Sequence, residues 1–240
     1  AVSMPQLHAI GGALTLSQLA YTELLDMPML ATVGGNLSVQ NNHALLALEM
    51  DELTSVGGEL SVVQNTRLRE ASFDGLAGVS SLFIYFNESL LDCDFSELES
   101  VEGDVTVSIN TNLRHLEWPA LLHIEGSLLM ESNHDELESV AMDRLTTIGG
   151  DLTLTENPQM TAVDFPRLTT VGGDIAITGA SDSTDYPALS AVQFDSLTTL
   201  GGDFFVGYTD VLCRSWLMPI HERLVAAGWL GSLTGGDEAC

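Results

Sequence analysis

Lysine is absent from this chain of 240 residues, and its seven basic residues are all arginine, set against 34 acidic ones. A net charge of -27 repels polyanions, so nucleic acid and anionic membrane surfaces are excluded as partners. Such acidity suits solubility in a salty or external medium. Long apolar runs are missing too. No stretch of eighteen apolar residues occurs, so nothing reads as a membrane-spanning helix. Cysteine is scarce, with three in the chain, too few for a disulfide-dense scaffold. No signal peptide is visible, and the expectation is that a targeting segment has been trimmed upstream.

What the chain has in abundance is repetition. A leucine recurs at Leu7, Leu30, Leu53, Leu76, Leu98, Leu121, Leu145, Leu168 and Leu197, in steps of 22 to 24 residues except for a last step of 29. Three residues on comes Ile10, Val33, Val56, Val79, Val101, Ile124, Ile148, Val171 or Leu200. A double glycine comes after it in six copies, as in Gly34-Gly35 and Gly172-Gly173, and Ser80-Ser81 replaces it in the fourth. An apolar-x-apolar triplet is next, such as Leu37-Ser38-Val39. Three residues beyond it sits Asn42, Asn65, Asn87, Asn110, Asn133 or Asn157, succeeded by a second apolar pair.

Each copy thus holds three short apolar pieces separated by turn residues, and none is long enough for an amphipathic helix. One copy cannot bury its own apolar face, but stacked copies can, at about 4.8 Å per strand. The expected fold is an all-β, parallel β-solenoid of about nine coils over residues 1–213. The glycine pair marks a corner needing φ > 0 or close backbone approach. A large residue precedes each corner (Met4, Met27, Met50, Phe73, Phe95, Trp118, Met142, Phe165, Phe194) and reads as a stacked core ladder. The asparagines read as a structural ladder that satisfies turn backbone groups.

The pattern L-x-x-[VIL]-G-G-x-L-x-[VL]-x-x-N-x-x-L resembles the receptor L-domain family over residues 4 to about 212. That family includes ligand-binding lobes of insulin and epidermal growth factor receptors, fungal cell-wall proteins and bacterial surface proteins. The resemblance implies a right-handed β-helix related to leucine-rich repeats. Receptor L domains are more irregular and richer in disulfides, so the bacterial branch is the nearer likeness. It carries no binding residue across, because the receptor contacts lie outside the repeat motif.

After Cys213 the pattern breaks, and residues 214–240 read as a C-terminal cap. Leu217, Ile220 and Leu224 share one helical face, Gly228 is a stop signal, and Pro219 suits only a first turn, so the spacing predicts a helix from about 216 to 227. Its apolar face is expected to cover the open strand edges of the ninth coil. A disulfide between Cys213 and Cys240 would close this cap, stabilise it by roughly 3 kcal/mol in the chain-entropy treatment, and imply an oxidising compartment. Cys93 falls at an apolar position of its coil and reads as a buried free thiol.

The chain carries few signs of catalytic chemistry. The six histidines show no zinc-site spacing, and there is no nucleophile elbow or phosphate-binding loop. The arginines (Arg67, Arg69, Arg114, Arg144, Arg167, Arg214, Arg223) fall at unlike repeat positions, which argues against a polysaccharide-active site on the rod. An acidic row, Asn36, Glu59, Asp104, Asp151, Asp174 and Asp203, offers oxygens to calcium, or is simply solvated. Hydroxyl rows (Thr32, Ser55, Ser100, Thr147, Thr170, Thr199, and Ser38, Ser61, Thr106, Thr153) raise ice binding, but Gly78, His123, Leu129, Ala176 and Phe205 interrupt them. The insertion ASDSTDYPA at 180–188 lengthens the eighth coil, and Asp182, Asp185 and Tyr186 are the expected contacts on this loop. The function expected is a non-enzymatic, secreted or cell-surface binding or adhesion protein facing a protein or glycan, with a bacterial envelope as its place and no cofactor beyond the calcium alternative. A passive envelope spacer is the alternative.

Overall fold

The computed structural model describes residues 1–133, 136–178, 189–207, 212 and 214–235. The repeat folds as expected, into a right-handed solenoid in which the strand pairings are parallel and, within the repeats, join positions one copy apart, as in Thr32 with Ser55 and Leu48 with Ala71. Each turn lays down three strands. A two-residue strand such as Thr32–Val33 builds the first ladder, a four-residue strand such as Leu37–Gln40 the second, and a three-residue strand such as Ala47–Glu49 the third. Alternation within these strands sends every second side chain inward, so Leu37 and Val39 are buried and Ser38 and Gln40 face out.

The nine leucine copies yield about eight full turns rather than nine. The ninth copy completes Thr199–Leu200 and Phe204–Gly207, and the helix then takes the chain across the end. In the third and fourth coils the first two strands run together, as Ser55–Val63 and Gly78–Tyr85. The third ladder is interrupted once. Strands from Val2–Ser3 to Asp92–Asp94 form one sheet, those from His115–Glu117 to Ala191–Gln193 another, and no pairing among the described residues joins the two.

The interior is a stack of like on like. The leucines from Leu30 to Leu197 are fully buried, and so is the large-residue ladder from Met27 to Phe194. Phe73 stacks on Phe95 at 5.2 Å and Phe165 on Phe194 at 5.7 Å. Each such side chain contributes roughly 1.5–3 kcal/mol of burial. Met4, in the first copy, is 37% exposed.

The glycine corner is governed by close approach and not by φ. A Cβ on Gly57 would lie 2.6 Å from the Gly34 carbonyl oxygen, a separation backbone cannot tolerate. The left-handed residues sit instead at the corner between the second and third ladders: Gln18, Asn41, Gln64, Phe86, Ile109, Ser132 and Glu156, with φ of 54 to 59°. No glycine marks this corner, so the strained conformation of each is held by the residue immediately C-terminal to it.

From the second coil on, that residue is the ladder asparagine. The six from Asn42 to Asn157 are fully buried. Each side-chain amide donates to a carbonyl of the preceding coil, Asn110 to Ile84 at 3.0 Å and Asn65 to Val39 at 2.9 Å. Each side-chain oxygen accepts the backbone N–H of the equivalent residue one coil earlier, as Asn133 does from Asn110 at 2.9 Å. The first copy has Leu19 there, and its N–H still donates to Asn42.

The helix runs Arg214–Ala226, two residues earlier than the sequence suggests, and buries Leu217, Ile220 and Leu224 as expected. Pro219 therefore lies inside it rather than in the first turn, and the Ser215 carbonyl lacks the i+4 N–H that a non-proline residue would supply. Gly228, at φ 94°, ends the helix: the Trp229 N–H donates to the Leu224 carbonyl and the Gly228 N–H to that of Val225, the paired bonds of a glycine C-cap. Arg223 donates to the Phe194 carbonyl and the Trp229 indole to that of Gly202. The chain then returns as Leu233–Gly235 to extend the second ladder beside Phe204–Gly207, a strand the repeat pattern does not announce.

Candidate binding face

The three faces differ in charge. The third ladder presents Asp26, Glu49, Glu70, Asp92, Asp94, Glu117 and Asp164 outward. The second presents Thr15, Ser38, Ser61, Phe83, Thr106, Leu129, Thr153, Ala176 and Phe205 in one row. Its other row is Ser17, Gln40, Val63, Tyr85, Ser108, Glu131, Thr155 and Thr178, in which Glu131 is the single charge. In a molecule carrying -27, strand-borne charge is thus concentrated on the third ladder, while the second is bordered at its start by the acidic row from Glu59 to Asp203.

An aromatic ridge stands on that face in the fourth coil. The Phe83 and Tyr85 rings lie 5.5 Å apart at 23°, and Tyr85 and Phe86 lie 5.9 Å apart at 43°. All three are half-buried. Phe86 takes the left-handed conformation, φ 59°, which brings its ring beside Tyr85. The hydroxyl of Ser108, in register with Tyr85, is buried without a hydrogen-bond partner. Towards the start of the rod, the positions equivalent to Phe86 carry amides: Gln64, Asn41 and Gln18. Beside them opens a shallow cleft of about 360 Å³ lined by Gln18, Ala20, Asn41 and His43. The ridge is invisible when the row is read as hydroxyls with interruptions. Its sequence signal is SSLFIYFN, where the copy that loses its glycine pair puts aromatics at the outward positions.

The acidic row is a second set of side-chain bonds between coils. Asp104 accepts the Ser127 N–H at 2.8 Å, Asp151 that of Asp174 at 2.8 Å, and Asp174 that of Asp203 at 2.7 Å. Among the described residues no group of three or more histidine, cysteine or acidic side chains is placed to hold a metal ion. In the hydroxyl-rich stretch, Thr146 and Thr169 each donate to the carbonyl of the coil before. Asp182, Asp185 and Tyr186 lie outside the described residues, as do Cys213 and Cys240.

Where the third ladder breaks, a cleft of about 410 Å³ opens between Asp92, Cys93, Asp94, Arg114, Glu117 and Pro119. Cys93 is a buried free thiol, as its position in the coil suggests. Burial, then Asp92 and Asp94, push its pKa well above the ordinary value, so it stays a thiol and a poor nucleophile. Two carboxyls are also raised. Burial raises Asp74, with Ser72 opposing and the neighbouring Asp94 and Asp51 adding. Burial raises Asp164, helped by Asp143 and Asp195, and its Oδ1 has no hydrogen-bond partner. These are stacked carboxylates of neighbouring coils, an arrangement of mutual repulsion rather than of acid-base partners.

Comparisons with protein-family models, curated proteins and solved structures return no match. The likeness to receptor L domains therefore rests on the repeat residues alone.

Proposed function

We propose that this protein is a non-enzymatic binding or adhesion protein of the receptor L-domain kind, secreted or held at a bacterial cell surface, that presents one rigid solenoid face to a protein or glycan. The observation that carries this reading is the segregation of charge. Repeat positions that face water need only be polar, and six of the seven acidic side chains named on the third ladder lie on coils one to five. The second ladder across the same coils carries one, Glu59, with Asp104 adjoining it. In the fourth coil it carries Phe83 and Tyr85 instead. Half-buried aromatics facing out of a polar scaffold suit recognition, since each ring offers contact area at little entropic cost. A passive spacer has no use for them.

The catalytic alternative finds no support in the arrangement of residues. The raised carboxyls Asp74 and Asp164 face other carboxyls, and no arginine is among the charges that shift them. The testing experiment is a glycan and protein array screen, with and without calcium. Saturable binding to at least one immobilised ligand is expected, and a protein that binds nothing across both arrays is not a binding module.

A further inference from the structure

Resting on the binding reading, and going on to the chemistry of the ligand, we propose that a neutral oligosaccharide lies along the second face, running parallel to the rod axis from the Gln18–Asn41 cleft to the Phe83–Tyr85–Phe86 ridge.

The fourth coil departs from the repeat in two ways at once. Ser80-Ser81 stands where other copies have glycine. Its strand is Gly78–Tyr85. Its outward residues are Phe83 and Tyr85, where the adjoining coils have Ser61 and Thr106, Val63 and Ser108. Repeat-wide features report the fold, whereas a local departure with no packing gain points to use. Phe86, at the left-handed corner that the coils from Gln18 to Glu156 share, places a third ring where the other coils carry Gln, Asn, Ile, Ser or Glu. The Ser108 hydroxyl, buried and unpartnered beside Tyr85, is a polar group awaiting a partner.

The chemistry selects the occupant. Amides such as Gln64, Asn41 and Gln40 offer a donor and an acceptor side by side, the arrangement that matches neighbouring sugar hydroxyls. An aromatic ridge suits the apolar C–H face of a pyranose ring. Acidic sugars are disfavoured, because net charge -27 repels them and the face holds no arginine to pair with a carboxylate. A protein partner fits less well. A stable interface takes about 800 Å² per side, whereas four residues across and some nine strands along project to about 500 Å². From the coil of Gln18 to that of Phe86 is three strand spacings, about 14 Å, a length suited to a short oligosaccharide.

The test is titration calorimetry of the full chain, without calcium, against cello-, laminari-, manno- and chitohexaose, with oligogalacturonate as the acidic counterpart. The F83S/Y85T variant carries residues of the kind the adjoining coils have at these positions, so its thermal midpoint should match wild type. At least one neutral hexaose should bind, weakened tenfold or more by F83S/Y85T and severalfold by Gln40→Ala, and left unchanged by Glu49→Gln on the acidic face. Shifts of the Tyr85 ring resonances on titrating wild type with that hexaose provide the same readout should F83S/Y85T not fold. Neutral binding that F83S/Y85T leaves intact overturns the ridge assignment and leaves the binding reading standing. Binding of oligogalacturonate alone, or of an arrayed protein in a manner lost with F83S/Y85T, overturns the glycan. Silence across all glycans and proteins removes both readings.

Discussion

Replacing Asn110 with leucine tests the asparagine ladder at its centre. The native side chain is fully buried and works at both ends. Its oxygen accepts the Asn87 N–H at 3.1 Å, and its amide donates to the Ile84 carbonyl at 3.0 Å and the Ser108 carbonyl at 3.1 Å. Leucine has the same branched four-atom skeleton and greater bulk, so no cavity opens, but the Asn87 N–H is left without an acceptor and two carbonyls lose a donor. A buried donor stranded in this way costs about 1–3 kcal/mol, and the carbonyls, which retain other lone pairs, add less. The expected loss is about 2–4 kcal/mol. With a urea slope of about 3 kcal/mol/M, the upper end for small proteins, the midpoint falls by about 1 M. Asp104→Asn is the matched control. It keeps an oxygen where Asp104 accepts the Ser127 N–H, on an exposed side chain, and should move stability by under about 0.5 kcal/mol. Urea melts followed by far-ultraviolet circular dichroism decide the matter: Asn110→Leu at the wild-type midpoint would show that the ladder bonds do not hold the coils together.

Glycine substitutions should separate an interior corner from the first one. Gly57→Ala forces a Cβ against the Gly34 carbonyl, whereas a Cβ on Gly11 meets nothing within 4 Å, so the first should cost about 1–3 kcal/mol and the second should be neutral in thermal melts. Asp74 and Asp164 have folded-state pKa values raised above the ordinary 3.8, so the folded chain holds their protons more tightly. Their destabilising contribution is full at neutral pH and is relieved as pH falls through the raised values towards 3.8; Asp164→Asn should raise the pH 7 melting temperature and flatten its rise on mild acidification. Thiol counting on denatured, unreduced protein should find one free cysteine, Cys93, with Cys213 and Cys240 bonded, and three free thiols would remove the case for an oxidising compartment. Gly228→Ala, at φ 94°, should cost about 1 kcal/mol and speed amide exchange between residues 214 and 235 before the central coils.

The fold is legible because solenoid physics is written once per repeat. Leu30, Val33 and Asn42 each recur with the coil, and a position buried in one copy is buried in its neighbours. The corners are less legible. Glycine signals a missing Cβ without saying whether φ or proximity demands it, and the left-handed corner bears Gln64, Phe86 and Ile109, which carry no such signal. The ends are harder still. Pro219 suggests a later helix start because its missing N–H penalises only one bond, which tertiary docking by Leu217 and Leu224 overrides. The returning strand Leu233–Gly235 belongs to no repeat. The candidate face is the least legible, since Phe83 and Tyr85 differ from the core aromatics Phe73 and Phe95 only by parity along a strand.

The break in the third ladder has a mechanical meaning. Backbone hydrogen bonds of a solenoid run along its axis, so a pull on the two ends loads each coil-to-coil junction as a bundle of parallel springs, and the junctions succeed one another in series. Most junctions carry three ladders of bonds. That between the fourth and fifth coils carries two, since among the described residues Asp92–Asp94 and His115–Glu117 do not pair with each other, and there Trp118 meets Phe95 edge-on at 77° rather than face to face. A chain of springs yields at its weakest member. Under traction this rod should part in its middle and leave two shorter blocks, each still wound on its own ladders, rather than fray from the end that the helix covers.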